Sequence, residues 1–210
     1  MKKKLDWAAI LARDAKTRAV ISSRELAKKF KLPVHSVVVS LGRQQKRGLV
    51  ERVHSTLYIN KLSAGFSPKD VVNQIDSSAY VSLDSALVEW GISTQSPIGL
   101  TCVSAAKTRI VRSPSVRIKY RKIKKDLYWG FIEKKSRFGA YKLAEPEKAL
   151  LDWLYFRYQD GLPANLDEFQ FQNINLKRLF EGAKKFPKSV REILIPHLLE
   201  RLLVDEKEVS

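Results

Sequence analysis

The chain has 210 residues, 44% hydrophobic and 29% charged, with 39 Lys and Arg against 22 Asp and Glu and a formal net charge of +17. That composition fits a globular protein of one good-sized core or two small ones, and the charge favours a polyanionic partner over a small neutral substrate. A lone Cys102 excludes an internal disulfide and a thiolate zinc cluster; no apolar run reaches membrane-spanning length, and Met1–Lys4 leads into no long apolar segment, so neither a span nor a signal peptide is expected and the location should be cytoplasmic.

The first organised stretch is Ser23 to Asn60. Ser23 is a candidate N-cap, and Leu26, Ala27 and Phe30 follow at helical spacing. Lys31-Leu32 makes a turn, Pro33 suits the first position of a second helix, and Val34, Val37, Leu41 and Gln45 form its predicted buried stripe. Gly42 sits inside that helix at a cost of about 1 kcal/mol relative to Ala, and Gly48 ends it. Two short strands, Leu49–Val53 and Leu57–Asn60, are joined by His54-Ser55-Thr56. Helix, turn, helix and hairpin in that order predict a winged helix-turn-helix over residues 1–62, with double-stranded DNA as the partner. Ser23 and Arg24 at the first helix, then His35, Ser36, Val39, Ser40, Arg43 and Arg47 on the outer side of the second, are the candidate DNA contacts, with Arg52 and His54 in the wing. They can hydrogen-bond base edges, touch thymine methyls and neutralise phosphates. Arg43 leads the set. The competing reading is a protein-interaction module, and the valine-rich outer face argues against a strongly polar base-reading helix.

Residues 63–78, broken by Ser63, Gly65, Ser67, Pro68 and Ser77-Ser78, are the expected linker, in part filled by a short helix from Pro68 to Ile75. Residues 79–210 form a second domain. It opens with a helix capped by Ser82, carrying Leu83, Ala86, Leu87 and Trp90 on one face and stopped by Gly91. From Gly99 to Leu143 the period becomes two. Val116, Ile118 and Tyr120 alternate with Arg117, Lys119 and Arg121, as in a strand with one face on the core.

The charge is concentrated in two places: residues 1–60 carry +10 and residues 103–142 carry +11, while 61–102 and 143–210 each carry −2. A basic antiparallel sheet is therefore expected, with Arg109, Arg112, Arg117, Lys119, Arg121, Lys124 and Lys125 as a second basic surface. A solvated edge that discourages aggregation and a surface for nucleic acid or an acidic protein both fit.

Next, Glu145 to Tyr158 begins with acids around Pro146 and is apolar around most of its circumference, so it should be the central buried helix. Two further helical segments, Asn175–Phe186 and Pro187–Leu203, complete a helical C-terminal part, with Pro196 expected to kink or split the latter. The fold class is thus α+β: a winged helix-turn-helix followed by a mixed α/β domain.

An N-terminal winged helix, the run Tyr80-Val81-Ser82-Leu83-Asp84-Ser85-Ala86-Leu87 through Gly91, the pair Trp129-Gly130 and above all Glu145-Pro146-Glu147-Lys148-Ala149-Leu150-Leu151-Asp152 together resemble the AbiEi-type antitoxins over roughly residues 5–160. The resemblance implies an antitoxin of a type IV toxin-antitoxin system, linked to abortive phage infection. Its N-terminal domain would bind inverted repeats in its own promoter and repress it, and its C-terminal domain would counteract a nucleotidyltransferase-like toxin without a stable complex. Glu145, Pro146, Glu147, Lys148 and Asp152 are the motif residues carried over, with a structural role expected.

The alternative from another class is a stand-alone winged-helix transcription factor whose second domain senses a ligand or partner. An enzyme is not expected. The histidines are His35, His54 and His197, and no nucleophile-base pair, phosphate-cradling glycine loop or metal-ligand spacing is present. Asp84, Glu89, Glu147 and Asp152 remain as an acid-only group that could converge in space. No cofactor, no metal and no membrane partner are expected.

Overall fold

The computed structural model describes residues 5–208, so the Met1–Lys4 run lies outside the described residues. The chain is mixed α+β, with two sheets and helices on both. Helix α1 (Trp7–Asp14) is capped by Asp6, whose carboxylate accepts the Ala9 N–H. Strand β1 (Val20–Ser22) runs straight into α2 (Ser23–Phe30). The cap of α2 is Ser22, which accepts the Glu25 N–H, and not Ser23 as the sequence suggested. Lys31 closes α2 in the left-handed conformation, with φ of 52°.

Helix α3 (Val34–Lys46) follows Pro33 with no side-chain cap. Its inward stripe is Val37, Leu41 and Gln44. Val34 is 42% exposed and Gln45 is exposed, so both predicted end positions of that stripe lie outside the packed stretch. Gly48, with φ of +74°, turns the chain into β2 (Val50–Arg52) and β3 (Leu57–Asn60). β1 adds to the free side of β3, giving an antiparallel sheet in the order β1-β3-β2.

That small sheet serves two cores because successive strand residues face opposite sides. Ile21, Val50 and Tyr58 pack with Leu11, Leu26, Val37 and Leu41 in the smaller core. Val20, Leu57 and Ile59 pack on the other side, in the larger core of the following unit. The segment read as a linker, 63–78, holds α4 (Lys69–Ile75), whose Val71 and Val72 are fully buried in that larger core.

The second sheet has six strands in the order β6-β7-β5-β4-β9-β8: β4 (Tyr80–Val81), β5 (Leu100–Ser104), β6 (Arg109–Ser113), β7 (Val116–Lys122), β8 (Phe131–Ser136) and β9 (Gly139–Ala144). It is mixed, which corrects the antiparallel expectation. β6 takes the edge and β7 folds back between it and β5, so β7 runs parallel to β5, and β4 runs parallel to β9. Helix α5 (Leu83–Glu89) and the central α6 (Pro146–Gln159) cover one region of it. Every residue of α6 from Glu147 to Phe156 is buried. Helices α7 (Leu176–Ala183) and α8 (Lys188–Glu208) pack beyond α6, and α8 continues through Pro196 rather than splitting there. No helix among the described residues is long and apolar enough to cross a membrane.

Candidate nucleic-acid interface

The outer side of α3 carries His35, Ser36, Val39, Arg43 and Arg47, all exposed. Burying Val37, Leu41 and Gln44 on the opposite side fixes their direction. Ser40 is half-buried, and its hydroxyl donates to the Ser36 carbonyl at 2.9 Å. Arg43 and Arg47 line a groove of about 560 Å³ with Trp7, Ser40 and Gln44. One Arg47 Nη donates to Gln44 Oε1 at 3.3 Å, which leaves most of the guanidinium fork for other acceptors. Arg24 is exposed on α2. Ser23 is removed from the candidate set: it is 0% exposed, because its backbone N–H pairs with the Thr56 carbonyl and draws the residue under the hairpin.

At the hairpin, Arg52 is exposed but folded over its own turn, donating from Nη2 to the Ser55 carbonyl at 2.9 Å and from Nε to the His54 carbonyl at 3.4 Å. His54 is half-buried with Ser55 Oγ at 3.1 Å from Nδ1. Burial, and then the positive charges of Arg109, Lys107 and Arg52, hold the imidazole below its ordinary pKa. Of those charges, Arg52 lies on β2, Lys107 in the connection before β6 and Arg109 on β6.

A clasp joins the small sheet to the β6–β7 turn. Glu51 Oε1 accepts the Ser113 hydroxyl at 2.6 Å and the Ser115 N–H at 2.8 Å, while Oε2 accepts the Ser115 hydroxyl at 2.7 Å. Lys61 bridges Glu51 and Ser115 at 3.4 and 3.0 Å. Burial alone would raise the Glu51 pKa, but these hydrogen bonds outweigh it and hold the carboxyl below its ordinary range. Sequence reasoning missed Glu51. Its isolation in a stretch otherwise crowded with Lys and Arg was the available signal.

The second basic surface divides in two. Arg112, Arg117, Lys119, Lys124 and Lys125 are exposed. Arg112 and Arg117 are direct cross-strand partners on β6 and β7, and Lys119 pairs with Ile110, itself 51% exposed. Arg109 and Arg121 are instead committed inward. Arg109 binds Asp76 at 3.0 Å and the Ile75 carbonyl at 3.1 Å and lies over the Tyr120 ring. Arg121 makes a two-pronged pair with Asp160 at 2.6 and 2.9 Å and lies over Phe156. Their expected place in a free basic surface is therefore corrected: both are structural cations that tie strands to helices.

The motif on α6 forms a buried polar knot. Lys148 is 1% and Asp152 0% exposed, and the two are ion-paired one helical turn apart. Tyr80 and Ser82 hydroxyls donate to Asp152 Oδ2 at 3.0 and 2.8 Å, and Lys148 Nζ donates to the Tyr80 hydroxyl at 3.0 Å. Tyr80, Trp129 and Phe186 rings enclose the ammonium, with centroids at 5.4, 5.3 and 5.2 Å. Burial outweighs the mutual attraction, pushing Asp152 up and Lys148 down, so neither charge stands without its partner. Gly130, with φ of +69°, lets the chain close on this lysine; an added Cβ would lie 3.1 Å from Lys148 Cβ. Glu147 accepts the Asn175 N–H at 2.7 Å and so anchors the chain at the start of α7. Pro146 opens α6 and Glu145 is its cap, pairing at 3.6 Å with Arg178.

The four candidate acids do not act as one group. Asp84 accepts from Trp153, Glu89 binds Lys69, Lys134 and Tyr141, Glu147 binds Asn175, and Asp152 binds Lys148. Among the described residues no set of three or more His, Cys, Asp or Glu is placed to hold a metal.

No family model matches the chain, and no curated protein is similar to it at a significant level.

Proposed function

We propose that this chain is a winged-helix DNA-binding protein that represses its own promoter, and that it is the antitoxin of a type IV toxin-antitoxin pair. The observation that carries the DNA-binding half is the division of α3: Val37, Leu41 and Gln44 are locked inward, and His35, Ser36, Val39, Arg43 and Arg47 stand free on the outer side, with exposed Arg52 in the hairpin that follows. A helix presenting arginines beside a basic hairpin is what a major groove and its flanking phosphates accept. Exposed Arg112, Arg117 and Lys119 add positive charge on the unit clasped to that hairpin, which favours the approach of a polyanion. Binding of the full chain to its upstream promoter duplex, compared with a scrambled duplex over a salt series, tests this half.

The antitoxin half is supported by the resemblance of Glu145 to Asp152, together with the segment from Tyr80 and the pair Trp129-Gly130, to the AbiEi-type antitoxins. These segments meet around the Lys148–Asp152 pair. Rescue of growth on co-expression with the protein encoded beside it, a nucleotidyltransferase-like toxin in this reading, is its test.

One observation favours the second reading, a stand-alone transcription factor that senses a ligand. A cavity of about 410 Å³ lies over the same knot, lined by Trp129, Glu145, Glu147, Lys148, Arg178 and Gly182 among others. A small molecule that changes promoter affinity and is blocked by filling this cavity would favour that reading over the antitoxin.

A further inference from the structure

Strand β6 forms one edge of the large sheet, and its register with β7 sets Arg112 directly opposite Arg117. Residues opposed in this way point to the same face, with Cβ atoms about 4.5–5.5 Å apart. Both side chains are exposed, and neither makes a hydrogen bond or an ion pair with any described residue. Alternation along β7 turns Arg121 to that face as well, but α6 covers the sheet there: Arg121 lies over Phe156 and is paired with Asp160. The face is therefore closed at Arg121 and open at Arg117.

Gly99 borders the open end. With φ of +93°, it lies so near that an added Cβ would stand 2.9 Å from both Cβ and Cγ of Arg117. Its backbone thus presses on the stem of this arginine, and no side chain at position 99 screens it. The carboxylates that reach these strands are already taken. Asp160 holds Arg121, and Glu51 holds Ser113 and Ser115. Ser113 follows Arg112 directly and so faces the other way. Those Glu51 contacts make the seam between the small and large sheets, and they tie the β6–β7 turn to β2.

Like charges directly opposite one another on a sheet are destabilising, and no acid among the described residues offsets this pair. A phosphate would, because each guanidinium fork can donate two parallel N–H bonds to phosphate oxygens. We infer that Arg112 and Arg117 form a clamp on a single backbone phosphate of DNA, separate from the α3 contacts and tied to the hairpin by the Glu51 seam. The inference rests on the DNA reading above and deepens it: α3 addresses base edges, and the clamp fixes the backbone without reading sequence.

The test measures affinity of the full chain for its upstream promoter duplex, carrying one helical turn of flanking DNA at each end, over a salt series. Arg112→Ala, Arg117→Ala and the double variant are compared with wild type. A shared phosphate predicts a double variant scarcely weaker than either single one, with a slope of log affinity against log salt reduced by about 1. A reduction of about 2, with single losses that multiply, assigns the arginines to separate phosphates and overturns the clamp. An unchanged slope in the double variant, while wild type binds, overturns the clamp and leaves the DNA reading standing. Failure of wild type to bind either the promoter or a scrambled duplex overturns both. Exchanging both arginines for lysine keeps the charge and removes the forks. That variant should keep the wild-type slope and bind more weakly; binding as tight as wild type overturns the clamp.

Discussion

Glu51 holds Ser115 through both of its carboxylate oxygens, one on the backbone N–H at 2.8 Å and one on the hydroxyl at 2.7 Å. With Ser113 on the same carboxylate, a strand of the small sheet is fastened to the β6–β7 turn of the large one. Val20, Leu57 and Ile59 pack into the larger core on the same side. The hairpin next to α3 is therefore set in direction by the unit behind it.

Replacing Glu51 by Ala should cost about 1–3 kcal/mol, since four hydrogen bonds to a buried carboxylate vanish and their donors lose a partner. Denaturant unfolding at pH 7 measures this. The carboxyl is held below its ordinary range in the folded chain, so the stability it contributes is present above the unfolded pKa and disappears as pH falls through the folded one. Glu51→Gln should accordingly flatten the loss of stability below about pH 4.5, the ordinary value.

Lys148→Met leaves Asp152 enclosed without a counter-charge and should destabilise by about 3–5 kcal/mol. Changing Asp152 to Leu in the same chain removes the orphaned charge, and the double variant should be more stable than the sum of the single changes implies. A double-mutant cycle by thermal or urea unfolding reads the coupling; strict additivity would mean that the pair contributes no coupling.

Arg43→Ala and Arg47→Ala should each weaken duplex binding, and each arginine that contacts phosphate should reduce the slope of log affinity against log salt by about 1. Fluorescence anisotropy over a salt series provides both numbers. An unchanged slope in the double variant would remove α3 from the interface.

Lys119 and Arg121 sit two residues apart on β7 and should separate cleanly. Lys119 is exposed, so Lys119→Ala should lower the salt slope and leave the unfolding midpoint alone. Arg121 pairs with Asp160 and lies over Phe156, so Arg121→Ala should lower the unfolding midpoint and leave the slope alone.

Much of this fold was legible in local pattern. The all-round apolar run after Pro146 marks α6 as central, Gly48 and Gly91 mark helix ends, and the two-residue alternation at Val116–Arg121 marks β7 with its correct core face. The errors lie where a distant partner decides. β1 and β4 are short strands of three and two residues whose pairing with β3, β5 and β9 no local period encodes. The parallel alignment of β5 and β7 depends on β6 reaching the edge first. Arg109 and Arg121 look like any outward cation in sequence; Asp76 and Asp160, 33 and 39 residues away, turn them into structural groups. The candidate interface was legible at α3 because helical spacing sorts its two faces, and illegible at the seam because Glu51, Ser113 and Ser115 meet only through tertiary packing.

The most direct measurement is the affinity of the full chain for its own upstream promoter duplex and for a scrambled duplex of equal length, from low to near-physiological salt. Preference for the promoter that persists at near-physiological salt, and that falls with Arg43→Ala, is the result expected of a winged-helix repressor. Equal affinity for both duplexes, decaying steeply and together with salt, would contradict it and reduce the basic surface to a nonspecific polyanion footprint.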